Sequence, residues 1–289
     1  MAAVTDRRVI DAHHHLWDLS ARPQTWIEGT YLAPLNRSFL LPELERAARA
    51  AGVEATVVVQ TVCVPHETPE LLALARHSSL VAGVVGWVDL TAPGVAGALR
   101  ALRDAPGGEK LVGIRHQVQL ETDPRWLLRP QVRRGLLAVA DAGLPFDLVV
   151  TPRQLAVATW VAAGLTGCTF VLDHLGKPPI ASGALRPWAD DVRRLAALPH
   201  TVCKLSGMLT EATRGAWTRD ELRPYAQVVM DAFGADRLLF GSDWPVSTLE
   251  AGYAEVLGVT EDLVGSLSPS EQDAVFYRNA CRVYGLAPA

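Results

Sequence analysis

Short apolar runs rich in valine, isoleucine and leucine recur along the chain, separated by segments with helical periodicity. A continuously apolar run of this length suits a parallel strand covered on both faces by crossover helices. Eight such runs stand out, at 8–12, 55–60, 81–87, 111–116, 145–150, 169–173, 201–205 and 237–241. Their starts lie 24 to 47 residues apart, room for a strand, a loop, a helix and a return loop. The segments between carry helix signals: an amphipathic stretch at 42–51 closed by Gly52, and Ser268-Pro-Ser-Glu271 as a capping box before a final helix to Tyr284. Strict alternation with right-handed crossovers predicts an α/β fold, a single-domain (β/α)8 TIM barrel over residues 1–289. An open doubly wound sheet is the competing fold, and the first turn lacks the glycine-rich loop that sheet uses.

Two connections are long, as functional loops after barrel strands are: 16–39 and 117–130. Both carry Trp or Tyr and are expected to overhang the barrel mouth.

Composition narrows the class. A hydrophobic content of 49% over 289 residues supplies one large core. The formal net charge is −4 without a basic run that could track a phosphate backbone or an anionic membrane, so neither nucleic acid nor membrane is an expected partner. The start lacks the apolar stretch of a secretory signal and no segment is long and apolar enough to span a bilayer, which predicts a cytoplasmic protein. Cys63, Cys168, Cys203 and Cys281 are widely spaced and read as free thiols, largely buried.

Chemistry-bearing residues gather at three strand ends. Asp11-Ala-His13-His14-His15 closes the first strand. Side chains alternate, so His13 and His15 point one way, presenting two imidazoles to one metal ion or one carbonyl oxygen, while His14 points away and reads as a surface residue. The sixth strand ends in Asp173-His174-Leu-Gly, and the eighth in Gly241-Ser-Asp243-Trp244-Pro. Polar residues at the C-terminal ends of barrel strands are where such folds keep their chemistry. An Asp beside imidazoles stays ionised and can take a proton from water attacking a carbonyl.

Together, in this order and spacing, these pieces resemble the amidohydrolase superfamily, in particular its amidohydrolase-related branch, which includes sugar-acid lactonases and the pyrone-dicarboxylate lactonase. The resemblance implies that His13 and His15 are the first-strand pair, His174 the sixth-strand histidine and Asp243 the general base. The chain departs from the two-metal members of the superfamily: strand four ends in Ile114-Arg115-His116-Gln117 and strand five in Asp147-Leu-Val-Val-Thr151, with neither a bridging Lys or Glu nor a strand-five His. One divalent metal or none is therefore expected. Zn²⁺ held by His13, His15, His174 and Asp243 suits the donor types, and metal-free catalysis is the other case.

Further polar residues at strand ends are candidates for substrate binding. Arg115 offers a bidentate fork for oxygens, with His116 on the opposite face of the strand. Lys204 lies inside an apolar strand and needs a polar pocket, and Gln60 ends strand two. Trp17, Trp26, Trp87 and Trp244 lie at or beyond strand ends, where rings can pack on a sugar. For Trp17 and Trp244 in particular, contact with substrate is the expectation. His66, His77 and His200 read as surface or loop residues.

The resulting expectation is a hydrolase opening a lactone ring, and the resemblance implies a sugar-acid lactone. One rival is a metal-dependent decarboxylase or another C–O or C–N hydrolase of the same superfamily. The other is a barrel that binds a small ligand without turnover. The sequence leaves open whether the chain forms a homo-oligomer.

Overall fold

The computed structural model describes residues 7–287. Residues 1–6, part of the segment read above for a leader, lie outside them, as do 288–289. Eight parallel strands follow one another round a single sheet in sequence order: β1 (Ile10–His14), β2 (Ala55–Val59), β3 (Val81–Gly86), β4 (Leu111–His116), β5 (Phe146–Leu148), β6 (Phe170–Leu172), β7 (Thr201–Leu205) and β8 (Leu238–Phe240). The ring closes where His14 bridges Trp244 in parallel and the Asp243 amide donates to the His13 carbonyl at 2.8 Å. Helices alternate with the strands, which makes the fold a single-domain (β/α)8 barrel. The two helix signals are realised: Leu41–Ala50 precedes Gly52 at φ +74°, and Ser268 caps Pro269–Asp273 reciprocally with Glu271.

Two hydrophobic layers result. The larger fills the space between strands and helices, with Leu72, Leu136, Leu155, Val192 and Val229 facing the sheet. The smaller fills the barrel interior with Ile10, Ala12, Val57, Val59, Val85, Val171, Val202 and Leu239, joined by Ala280 and Tyr284 of the last helix, Asn279–Tyr284. That helix therefore stops the N-terminal end of the barrel, while the mouth at the other end stays polar.

The first strand starts and ends two residues later than its apolar run suggests. Asp11 pairs with Thr56 and His14 with Val58, so a three-residue step on β1 faces a two-residue step on β2. This bulge carries the strand through the histidines and turns His13 into the barrel. The strands at 145–150, 169–173 and 237–241 are shorter than their apolar runs, because their ends leave the ladder to form the loops of the mouth.

Candidate active site

The bulge, together with two glycines, brings the histidines together. A Cβ on Gly241 would lie 2.7 Å from the Cβ of His13, and one on Gly207, whose φ is +61°, would lie 2.6 Å from Nδ1 of His174. Only glycine leaves these rings room to converge. His174 and Asp243 themselves adopt left-handed backbone, at φ 52° and 55°. Each such residue costs about 1–3 kcal/mol, and the surroundings hold both in place: the His174 carbonyl accepts from Lys177, and the Asp243 amide donates across to β1.

The four residues read from the sequence meet at one point. Nε2 of His13 and Nε2 of His15 are 3.2 Å apart, and Oδ1 of Asp243 lies 3.6 Å from His15, 3.9 Å from His13 and 3.9 Å from His174. The far side of each ring is anchored. His13 Nδ1 faces Asp173 at 3.2 Å, His15 Nδ1 donates to the Val59 carbonyl at 2.8 Å, and His174 Nδ1 meets the Ser206 hydroxyl at 2.9 Å. The partners of His13 and His15 can only accept, so the ring proton of each sits on Nδ1, and their two Nε2 lone pairs face a common space with the His174 Nε2 and the Asp243 carboxylate.

Electrostatics fit that picture. Burial pushes His174 down to about 4 against the pull of Asp243 and Asp173, and burial also holds His13 well below the usual imidazole value despite Asp173. Burial raises the Asp243 carboxyl, but His174, the hydrogen bond to His15 and the neighbouring His13 outweigh it and leave it below the ordinary carboxylate range. Around neutral pH the site holds neutral His13 and His174 rings beside an ionised Asp243.

The donor set suits a metal ion. One ligand atom from each of His13, His174 and Asp243 lies within 4.8 Å of the others. Ligands of a tetrahedral ion with bonds of 2.0–2.1 Å are about 3.3 Å apart, close to the His13–His15 separation and slightly shorter than those to Asp243. The Arg115 guanidinium, with Nη1 3.4 Å from His13 Nε2, puts a fixed cation directly against the cluster.

Above the cluster opens a cavity of about 660 Å³. His15, His174, Asp243 and Arg115 reach it from below. The long loop after β1 supplies Trp26, Tyr31 and Leu32, and the loop after β4 supplies Gln117, Gln119 and Leu120, so both loops do overhang the mouth. Thr151, Lys177, Thr210 and Glu211 add a polar wall, with Lys177 paired to Glu211 at 2.8 Å.

Five residues expected to touch substrate lie elsewhere. Gln60 is buried and clamps Arg115, donating to its carbonyl and accepting from its guanidinium. His116 points outward, stacks on Trp126 with centroids 4.1 Å apart, faces Glu121 at 2.8 Å and receives the Trp87 indole N–H. Trp17 and Trp244 pack on Phe39 beneath the first long loop, because Trp17 pairs with Phe39 across an antiparallel bridge. Lys204 does point into the barrel but lies fully buried below the floor. His14 corrects a further expectation: it is not at the surface but completely buried, facing Thr56 Oγ1 at 2.9 Å.

Sequence reasoning missed the anchors. Asp173 stands in the sixth-strand motif and Ser206 directly follows β7, but neither position says which ring nitrogen it holds. Among the cysteines, Cys168 and Cys203 are buried and Cys63 and Cys281 half-buried, all free. Among the described residues no helix is long and apolar enough to cross a membrane.

A barrel with this mouth is shared with a defined class, and the chain belongs to the amidohydrolase family, whose model matches residues 10–286. Among its relatives is the L-fucono-1,5-lactonase of Burkholderia ambifaria, 38% identical over 281 residues that cover 95% of this chain and 94% of that one. The L-fucono-1,5-lactonase of Burkholderia multivorans is 39% identical over 288 residues, covering 96% of each. A crystal structure of an amidohydrolase from Burkholderia multivorans with bound zinc superimposes with a TM-score of 0.90 at 38% identity, covering 97% of this chain and all of that one.

Proposed function

We propose that this protein is a hydrolase that opens the ring of a sugar-acid lactone. The observation that carries the reading is the convergence of three imidazole Nε2 atoms and an ionised Asp243 beneath a cavity lined by both polar and apolar side chains. The likeness to two lactonases over nearly the whole chain supports it.

In the reaction, Asp243 takes a proton from water as that water attacks the lactone carbonyl carbon. The carbonyl oxygen becomes an oxyanion beside the histidine cluster and Arg115, which holds a fixed positive charge at the cavity floor. When the ring C–O bond breaks, the proton on Asp243 passes to the departing ring oxygen, leaving a hydroxyl and a carboxylic acid that loses its proton to solvent. One molecule of water is consumed and Asp243 returns to its ionised form. Held by His13, His15, His174 and Asp243, a single Zn²⁺ would polarise the carbonyl and acidify water. Gln117, Gln119, Thr151 and Thr210 provide hydrogen-bonding partners for sugar hydroxyls, and Trp26 and Leu249 an apolar face for ring carbons. A small-molecule substrate of this kind fits a cytoplasmic enzyme.

Acid release from a panel of sugar-acid lactones, followed with a pH indicator before and after chelator treatment, tests the reading. Hydrolysis of at least one aldonolactone is expected, with activity lost on chelation and restored by Zn²⁺. Turnover of none, alongside CO₂ release from a carboxylated aromatic, would replace it with a decarboxylase.

A further inference from the structure

Below the floor of the cavity the barrel holds four charged side chains in a region otherwise lined by Val, Ala, Ile and Leu. Lys204 Nζ lies 2.6 Å from Asp147 Oδ2, 3.0 Å from Asp173 Oδ1 and 3.2 Å from His13 Nδ1. Asp173 Oδ2 lies 3.2 Å from Arg115 Nη1, while its Oδ1 faces His13 Nδ1 at 3.2 Å. From the other end of the barrel, the Tyr284 hydroxyl of the last helix donates to Asp147 at 2.9 Å. Lys204, Asp147 and Asp173 are completely buried, and Arg115 is 3% exposed.

Two carboxylates against two cations make the group neutral overall. Such buried networks seldom add stability over well-packed apolar side chains of the same volume, so stability gives little reason for a lysine here. Its contacts point to another role. Two of the three groups around Nζ, Asp173 Oδ1 and His13 Nδ1, are the pair that fixes the ring of His13.

We propose that Lys204 is a positioning residue for the hydrolytic site: braced by Asp147 and Tyr284, it holds Asp173 as the acceptor of the His13 Nδ1 proton and so keeps the Nε2 lone pair turned toward His15 and Asp243. The lysine does not touch substrate. It acts through Asp173, and the barrel-closing helix acts through Asp147. The inference builds on the lactonase reading for its kinetic readout only.

The test compares wild type with Lys204→Met/Asp147→Asn, which removes one charge of each sign and leaves the Asp173–Arg115 pair balanced. Three quantities are measured: thermal midpoint, steady-state kinetics on the best lactone, and the ¹⁵N pattern of the His13 ring in the protein as purified. The expected result is a thermal midpoint at or above the wild-type value, kcat at least tenfold lower, KM within threefold, and loss of the single Nδ1–H signature. A folded double variant with kcat within twofold of wild type and an unchanged His13 pattern would overturn the proposal. Should the double variant not fold, Tyr284→Phe decides: a threefold or larger fall in kcat at constant KM supports the network, and unchanged kcat refutes it. If wild type hydrolyses no lactone, the functional reading fails, while the His13 pattern still decides the role of Lys204.

Discussion

Gly207 lies against His174 so closely that any side chain at 207 would meet the imidazole, its Cβ 2.6 Å from Nδ1. Ser206, the preceding residue, holds that same nitrogen at 2.9 Å, so one turn after β7 both makes room for the ring and orients it. Gly207→Ala combines this clash with a φ of +61°. We expect a loss of about 2 kcal/mol or more in urea unfolding, together with reduced kcat. Unfolding curves overlaying those of wild type would show that the turn relaxes freely.

Ser206→Ala removes the hydroxyl beside His174 Nδ1 while keeping the turn. Losing a partner of this kind typically costs about 10- to 100-fold in activity or metal affinity. The expected outcome is a kcat reduction in that range with unchanged unfolding, and steady-state kinetics with parallel metal analysis read it directly.

Asp243→Asn preserves size and the left-handed turn but cannot accept the proton from water. General-base catalysis contributes about 10²- to 10⁴-fold, so kcat should fall by at least 10² while the protein stays folded. Single-turnover measurements with a lactone would settle it: a rate within tenfold of wild type assigns the base elsewhere.

The buried His14 makes stability depend on pH. Burial, with a smaller effect from His15, pushes its pKa down to about 3 from an ordinary value near 6.5. Between these values the unfolded chain binds a proton that the folded protein does not. Stability is therefore fully present above about pH 6.5 and is lost as pH falls toward 3, by about 2 kcal/mol between pH 7 and pH 5 from this group alone. His14→Gln should lose that much less over the same interval in urea titrations at the two pH values. Equal losses in both proteins would mean that His14 does not drive the acid sensitivity.

The barrel was legible in the chain because each strand covered on both faces must be apolar throughout, and eight such runs alternate with helical periodicity. His13, His15, His174 and Asp243 were legible for a related reason: polar residues that end apolar strands must find a polar mouth. Other residues carried no such mark. Lys204 reads as a strand residue needing a pocket, yet its pocket is made by Asp147 from one strand, Asp173 beyond another and Tyr284 from the last helix. Gln60, His116, Trp17 and Trp244 sit at strand ends as the sequence indicates, but hydrogen bonds to Arg115, an outward face and a folded-back loop keep them from the cavity.

Local pattern by itself thus determined the strands, their order and the four residues of the mouth, because burial and alternation act along the chain over a few residues. Which nitrogen of each histidine is free, which carboxylates lie beneath them and which side chains wall the cavity were decided only by the tertiary structure, since those contacts join residues as far apart as His13 and Lys204, where closure of the barrel sets the distances.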